Sequence, residues 1–164
     1  MLFRSQLVAS LDAIATQYQL PIIMSTHPRT AKLLQEQGVQ LHPLVQTLKP
    51  LGLPDYVQLQ MQAKVVLSDS GTISEESSIL NFPAINIREA HERPEAMEEA
   101  SVMMTGLHPE RIIQAIALAA YQKRGKERSV RLVADYAMPN VSEKVLRILV
   151  SYIDYVNRNN RKGI

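Results

Sequence analysis

The sequence predicts an α/β fold in which helices cover both faces of a parallel sheet. Short apolar runs rich in β-branched residues, such as residues 20–25 and 83–88, alternate along the chain with segments of helical spacing. Helices of about ten residues between successive strands require crossover connections, and such connections make neighbouring strands parallel. The chain of 164 residues has the length of one domain. The expected fold class is therefore a doubly wound parallel α/β domain.

Local signals place the helices of this domain. Apolar residues recur at spacings of three and four from residue 7 to residue 18, which is one face of a helix. Gly38 is typical of the end of a helix and predicts the end of the second helix. Pro54 is favoured in a first turn and predicts the start of the third helix, and Ser142 predicts the N-terminal cap of the last helix. The first helix lacks a strong cap, which predicts that a further segment precedes it. The predicted helices span residues 2–18, 29–37, 54–63, 73–80, 109–123 and 142–157.

Apolar runs that end at polar or turn-forming residues predict the strands. Any strand between residues 39 and 53 is expected to be short, because Pro43, Pro50 and Gly52 interrupt that segment. The basic stretch from 125 to 140 predicts a loop, and the polar residues 158–164 predict a frayed tail. The clear strands are predicted at residues 20–25, 64–68, 83–88 and 101–104.

Composition excludes several classes of function. The chain has no cysteine, so it has no disulfide, no thiolate nucleophile and no iron–sulfur cluster. Its net charge of +2 gives no general case for binding nucleic acid or a membrane surface. No apolar run approaches the roughly 18 residues of a membrane span, and we expect a cytoplasmic protein. No spacing of His, Asp and Glu predicts a metal site, no glycine-rich dinucleotide loop is present, and no cofactor is expected.

Polar residues follow the predicted strands at the edge where open parallel sheets bind their ligands. Ser70, Gly71 and Thr72 lie between a buried strand and a helix. Free backbone N–H groups and the helix dipole favour an anion there, and Gly71 allows a phosphate close to the backbone. The segment Thr26-His27-Pro28-Arg29 follows the first strand, and Arg88 to Arg93 follows the third.

Each of these side chains also has a structural interpretation. Glu75 and Glu76 in the first helical turn are ordinary dipole partners, although a carboxylate there could also accept hydrogen bonds from the two ribose hydroxyls of a nucleotide. Arg88 and Arg93 flank an acidic cluster and form either surface ion pairs or a diphosphate clamp. His27 is either a loop histidine or a ligand contact. Tyr56 either packs in the core or stacks on a base.

The segment from Leu67 to Ala96 resembles the non-hydrolysing UDP-N-acetylglucosamine 2-epimerases. The resemblance lies in Asp69-Ser70-Gly71, Glu75-Glu76 and Glu92-Arg93-Pro94-Glu95-Ala96. Residues 25–29 and 139–145 support it and look closest to the branch that makes UDP-N-acetyl-L-fucosamine. The family has two Rossmann-like domains that face each other in the glycosyltransferase-B arrangement. The resemblance covers only the second, which predicts a UDP-binding C-terminal domain over residues 1–157, a polar tail over 158–164 and an absent N-terminal domain.

The resemblance also implies residue roles. Ser70, Gly71 and Glu76 match positions that hold the UDP phosphates and ribose, Arg93 matches an arginine at the diphosphate, and Tyr56 matches an aromatic position beside the uracil. His27 matches a histidine that in some members belongs to a regulatory UDP-sugar site. Thr72 departs from the commoner second glycine and adds a hydroxyl. The predicted UDP-binding set is thus Tyr56, Ser70, Gly71, Thr72, Glu76 and Arg93, with His27 and Arg88 as candidate regulatory or sugar contacts.

The family reaction that the resemblance implies is an isomerisation at C2 of a UDP-2-acetamido sugar. UDP is eliminated to leave a 2-acetamidoglucal and is then added back with inversion of the configuration at C2. The carboxylates of the acid and base that move the C2 proton lie on the family's first domain, so this chain alone is expected to be inactive. Its binding of UDP is expected to be weak and sensitive to salt, because phosphates on one wall of an open cleft stay partly hydrated. The surface left bare by the absent domain also suggests self-association into a homo-oligomer.

Two other interpretations remain open. The chain is alternatively a non-catalytic UDP-binding or interaction module derived from the same fold, or half of a UDP-sugar glycosyltransferase. The segment Glu92-Arg93-Pro94-Glu95-Ala96 disfavours the glycosyltransferase, and fold alone does not separate these functions.

Overall fold

A computed structural model describes residues 2–26, 28–36, 38–90 and 92–160. Helices and strands alternate along them, as the sequence predicts. The helices are α1 (Leu2–Tyr18), α2 (Pro28–Glu36), α3 (Leu53–Gln62), α4 (Ile73–Leu80), α5 (Pro94–Glu98), α6 (Pro109–Ala119) and α7 (Val141–Asn160). The strands are β1 (Ile22–Ser25), β2 (Val45–Leu48), β3 (Val66–Ser68), β4 (Ala84–Asn86) and β5 (Met103–Met104).

All strand pairs of the described residues are parallel, which confirms that prediction. They form two sheets, one of β1 and β2 and the other in the order β3-β4-β5. Leu67 lies opposite Ile85, and Ile85 lies opposite Met103. The two sheets share an apolar cluster, because Ile22 of β1 packs against the same buried residues as Leu67 of β3. The strands are short, and the two sheets are joined by this apolar cluster and not by hydrogen bonds between strands.

Helices cover both faces of the larger sheet, as expected for a doubly wound layout. On one face Ile85 packs with Ile14 of α1 and with Ile112 and Ile116 of α6. On the other face Ala84, the neighbour of Ile85 in β4, belongs to a second cluster with Ile73, Phe82 and Val102. Successive residues of a strand point to opposite faces, so β4 contributes to both clusters. Each fully buried isoleucine stabilises the fold by about 1.5–3 kcal/mol.

The structure corrects several element boundaries. The acidic segment after β4 contains the short helix α5, which no sequence pattern predicted; Pro94 occupies its first turn and Ala96 is buried. The helix predicted to reach residue 123 ends at Ala119. Residues 134–136, inside the predicted loop, form a 3-10 turn. The last helix begins at Val141, so the predicted cap Ser142 lies within its first turn.

The chain divides into two compact units, Met1–Val133 and Ala134–Ile164. The second unit contains α7, whose apolar side chains include Leu149, Tyr152 and Val156, each roughly half exposed. The predicted extent of the UDP-binding domain, residues 1–157, stays a prediction. In the part of the chain that the structure describes, no helix is both long and apolar enough to cross a membrane.

Candidate functional site

The turn between β3 and α4 is shaped by hydrogen bonds from its own side chains. The Ser70 N–H donates to Ser68 Oγ at 3.1 Å, and the Thr72 N–H donates to Ser70 Oγ at 3.3 Å. Short hydroxyl side chains form such turns readily. The N–H groups of Gly71 and Ile73 have no hydrogen-bond partner among the described residues. Both lie at the positive end of the α4 dipole, where an anion is favoured. Ile73 is fully buried and Gly71 is partly exposed, so an anion can reach only the N–H group of Gly71.

Both carboxylate oxygens of Glu76 are held by neighbouring side chains. Thr72 Oγ1 donates to Glu76 Oε1 at 2.7 Å, and Gln60 Nε2 donates to Glu76 Oε2 at 2.5 Å. Ser70 Oγ lies 2.9 Å from Thr72 Oγ1 and extends this network toward the turn. Gln60 lies on α3 and is only 3% exposed. The side chain of Glu76 is therefore fixed from two different elements.

Gln60 is the residue of this site that the sequence analysis missed. A long polar side chain buried in the last turn of a helix, as Gln60 is in α3, is uncommon and needs a partner. The available signal was its spacing from Tyr56, because residues four apart lie on the same face of a helix. If Tyr56 faces the site, Gln60 faces it as well.

Tyr56 lies beside the same carboxylate. Burial raises the pKa of its phenol above the ordinary value, and the negative charges of Glu76 and then Asp69 raise it further, while a hydrogen bond with Gln60 acts in the opposite direction. The structure thus brings together four of the six predicted UDP-binding residues: Tyr56, Ser70, Thr72 and Glu76.

Gly71 and Arg93, the other two predicted residues, meet on the opposite side of the turn. A Cβ atom built on Gly71 would lie 3.2 Å from Glu92 Oε2 and 4.0 Å from Arg93 Nη2. Arg93 Nε donates to Glu75 Oε1 at 2.8 Å. The two adjacent glutamates therefore differ in their partners, since Glu75 holds Arg93 and Glu76 is held by Thr72 and Gln60.

Arg88 lies next to this group and is also paired with a carboxylate. Its Nη2 atom donates to Glu92 Oε1 at 2.6 Å, and its backbone N–H donates to Asn86 Oδ1 at 2.9 Å. The hydrogen bond from Arg88, and then its charge, lower the pKa of Glu92 below the ordinary value. The ion-pair interpretation of Arg88 and Arg93 is thus confirmed, and their role as a diphosphate clamp stays a prediction.

Other features of the chain lie apart from this group. His27, the candidate regulatory contact, falls outside the described residues. An open groove of about 460 Å³ runs between β5 and α6 and is lined by Met104, His108 and Arg111 among others, and none of the six predicted residues lines it. Within residues 2–26, 28–36, 38–90 and 92–160, no group of three or more His, Asp or Glu is placed to hold a metal ion.

The raised pKa of Tyr56 predicts a loss of stability at alkaline pH. The folded chain favours the neutral phenol, so this contribution is complete below pH 10, the ordinary pKa, and is lost as the pH rises through the folded pKa. We expect Tyr56→Phe to lose less unfolding free energy than the wild type between pH 9 and pH 11 in urea titrations. The difference between the variant and the wild type should grow as the pH rises through this range.

Tyr121→Phe is the matched control for this substitution, because Tyr121 is 88% exposed. Its unfolding free energy should follow that of the wild type at every pH. An equal alkaline loss in Tyr56→Phe and in the wild type would mean that the phenol of Tyr56 is not buried in solution.

The fold and the site together define an α/β protein whose polar side chains gather where strands end and a helix begins, which is the ligand-binding edge of open parallel sheets. Over residues 4–150 the chain matches the family described as UDP-N-acetylglucosamine 2-epimerase. This chain belongs to that family.

Curated relatives and solved structures agree with this assignment. The UDP-N-acetylglucosamine 2-epimerase of Methanococcus maripaludis is 35% identical over 116 residues, which are 68% of this chain and 32% of that protein. The enzyme of the same name from Methanocaldococcus jannaschii is 29% identical over 147 residues, 87% of this chain and 38% of that protein. The chain therefore spans well under half the length of these relatives.

The fold is similar to that of solved members of the family. The structure of UDP-N-acetylglucosamine 2-epimerase from Rickettsia bellii has a TM-score of 0.84 and 44% identity, over 95% of this chain and 43% of that chain. The UDP-GlcNAc 2-epimerase of Methanocaldococcus jannaschii, in complex with UDP-GlcNAc and UDP, has a TM-score of 0.77 and 28% identity, over 90% of this chain and 40% of that chain.

Proposed function

We propose that this chain is the C-terminal, UDP-holding part of a UDP-N-acetylglucosamine 2-epimerase. The observation that carries the proposal is the fixed carboxylate of Glu76, in the first turn of a helix that follows the free N–H group of Gly71. The match to the family supports the proposal, and so does the similarity to an enzyme whose structure was solved with UDP-GlcNAc and UDP.

In the proposed complex the diphosphate rests at the start of α4. The free N–H group of Gly71 donates to a phosphate oxygen, and the guanidinium of Arg93, beside Gly71, matches phosphate geometry. Glu76 accepts hydrogen bonds from the ribose hydroxyls, and Tyr56 stacks on the uracil. In this arrangement the base, the ribose and the phosphates would each meet a suitable group.

UDP binding to this chain alone is expected to be weak and sensitive to salt. Arg93 is already engaged by Glu75 and Arg88 by Glu92, so phosphate oxygens must compete with carboxylates for both guanidinium groups. The side chains of all four are between about a quarter and a half exposed, so water and salt screen the new contacts as well.

In the proposed reaction the C2 proton and UDP, bound at C1, are eliminated to leave a 2-acetamidoglucal; UDP then adds back at C1 while a proton returns to the opposite face of C2. It requires an acid and a base that remove and return the C2 proton. We assign neither role to the described site, whose carboxylates are engaged by Arg88, Arg93, Thr72 and Gln60. The acid and base belong in this proposal to a further part of the enzyme, so the chain by itself holds UDP without turning over the sugar.

A turnover assay tests whether the acid and base belong to a further part of the enzyme. UDP-N-acetylglucosamine is incubated with this chain alone and with the chain joined to the further domain of a relative, and the C2 epimers are separated by chromatography. We expect epimerisation only in the joined protein. Epimerisation by this chain alone would contradict this assignment, and UDP binding without turnover in the joined protein would favour the alternative of a non-catalytic UDP-binding module.

A further inference from the structure

We propose that Gln60 and Thr72 are positioning residues, which hold the carboxylate of Glu76 in the orientation that reads the ribose hydroxyls of UDP. This inference rests on the proposed function, because it assumes that Glu76 meets the ribose. Gln60 Nε2 and Thr72 Oγ1 each bond a different oxygen of Glu76, at 2.5 and 2.7 Å. The three side chains come from α3, from the turn before α4 and from α4 itself.

The two contacts leave Glu76 able to bind a ligand. An ionised carboxylate accepts about four hydrogen bonds and donates none. Gln60 and Thr72 use one acceptor position on each oxygen, so one position on each oxygen remains for a ribose hydroxyl. A glutamate held in this way has already lost its rotamer freedom before the ligand arrives, which removes part of the entropic cost of binding.

The direction of the hydrogen bonds links Glu76 to the phosphate end of the site. Thr72 has one hydroxyl proton and donates it to Glu76 Oε1, so the hydrogen bond between Ser70 and Thr72 must use the proton of Ser70. The chain of donors therefore runs from Ser70 through Thr72 to Glu76. Thr72 therefore keeps its hydrogen bond to Glu76 even when the Ser70 hydroxyl donates to a phosphate oxygen instead of to Thr72.

Burial distinguishes Gln60 from a surface residue that contacts Glu76 by chance. Gln60 is 3% exposed, whereas Gln58, two residues earlier on the same helix, is exposed. Close packing restricts the rotation of a buried side chain. Nε2 of Gln60 has its hydrogen-bond partner in Glu76, whereas Oε1 is buried without a partner among the described residues. Thr72 is exposed and β-branched, so its side chain has few rotamers and can be replaced by valine with the same shape.

The test compares UDP with 2′-deoxyuridine 5′-diphosphate, which lacks one ribose hydroxyl, by calorimetric titration of the full chain. We expect the wild type to prefer UDP at least tenfold and Glu76→Ala to lose most of that preference. Gln60→Leu and Thr72→Val should each reduce the preference at least threefold. Thr72→Ser keeps the hydroxyl group and should therefore show the preference that Thr72→Val loses. Gln58→Leu should leave the preference of the wild type unchanged. Circular dichroism checks that every variant is folded.

The outcomes separate the two proposals. A full preference in both Gln60→Leu and Thr72→Val, together with its loss in Glu76→Ala, would overturn the positioning role and leave the proposed ribose contact standing. A wild type that does not bind UDP, or does not distinguish the two nucleotides, would overturn the ribose contact and the positioning role together. If Gln60→Leu fails to fold, Thr72→Val and its serine rescue decide the question, because Thr72 lies on the surface.

Discussion

Glu76→Ala is expected to weaken UDP binding by this chain more than tenfold, which corresponds to about 1.4 kcal/mol or more. The substitution removes the acceptor for the ribose hydroxyls and leaves the donors of Gln60 and Thr72 without their partner. Hydrogen bonds to a charged group are each worth about 1.5–3 kcal/mol, so even one lost contact accounts for the expected change. Calorimetric titration at low salt measures it.

Glu110→Ala is the matched control for this substitution. Glu110 also lies in the first turn of a helix, α6, and it is exposed. Its removal takes the same charge from the chain and the same carboxylate from a helix N-terminus, yet UDP affinity should stay within twofold of the wild type. Equal affinities of the wild type and Glu76→Ala would exclude Glu76 from the UDP site.

Arg93→Ala is expected to weaken UDP binding between about tenfold and a hundredfold, because it removes a charge-assisted contact to the diphosphate. It also frees Glu75, whose negative charge then faces the phosphates without its cation. The loss should be smaller in 0.5 M NaCl than at low salt, since salt screens both effects. Titrations of the wild type and the variant at the two salt concentrations measure the difference.

Arg111→Ala is the control that separates two places for the nucleotide. Arg111 lines the groove between β5 and α6, and none of the six predicted residues lines that groove. If the diphosphate binds at the start of α4, only Arg93→Ala weakens binding; a loss in Arg111→Ala alone would place UDP in the groove. Loss of the Arg93–Glu75 pair should cost less than about 1 kcal/mol of unfolding free energy, because about a third of each side chain is exposed.

The elements best predicted from sequence are those with a strong local signal at each end. Helix α4 was predicted at residues 73–80 and occurs there, because Gly71 and Thr72 precede it and Asn81 ends it in the left-handed conformation. Strand β4 is also predicted, because Ala84 and Ile85 give it an apolar side chain on each face of the sheet. Such signals depend on neighbouring residues alone.

The features that escaped prediction depend on contacts between distant segments. Helix α5 is five residues long, too short to show a helical period, and is held by the burial of Ala96. Gln60 resembles any polar helix residue until α4 brings Glu76 to it, 16 residues later in the chain. The choice of Glu75 rather than Glu76 as the partner of Arg93 is likewise a property of packing, which the sequence pattern does not contain.

A calorimetric titration of UDP into this chain at low salt tests most directly whether the site between β3 and α4 holds the nucleotide. We expect saturable binding with one UDP per chain and a dissociation constant below about 1 mM, equivalent to about −4 kcal/mol. The affinity should fall in Glu76→Ala and in Arg93→Ala and remain in Glu110→Ala. An absence of binding at millimolar UDP, or binding that neither Glu76→Ala nor Arg93→Ala weakens, would contradict the proposed site.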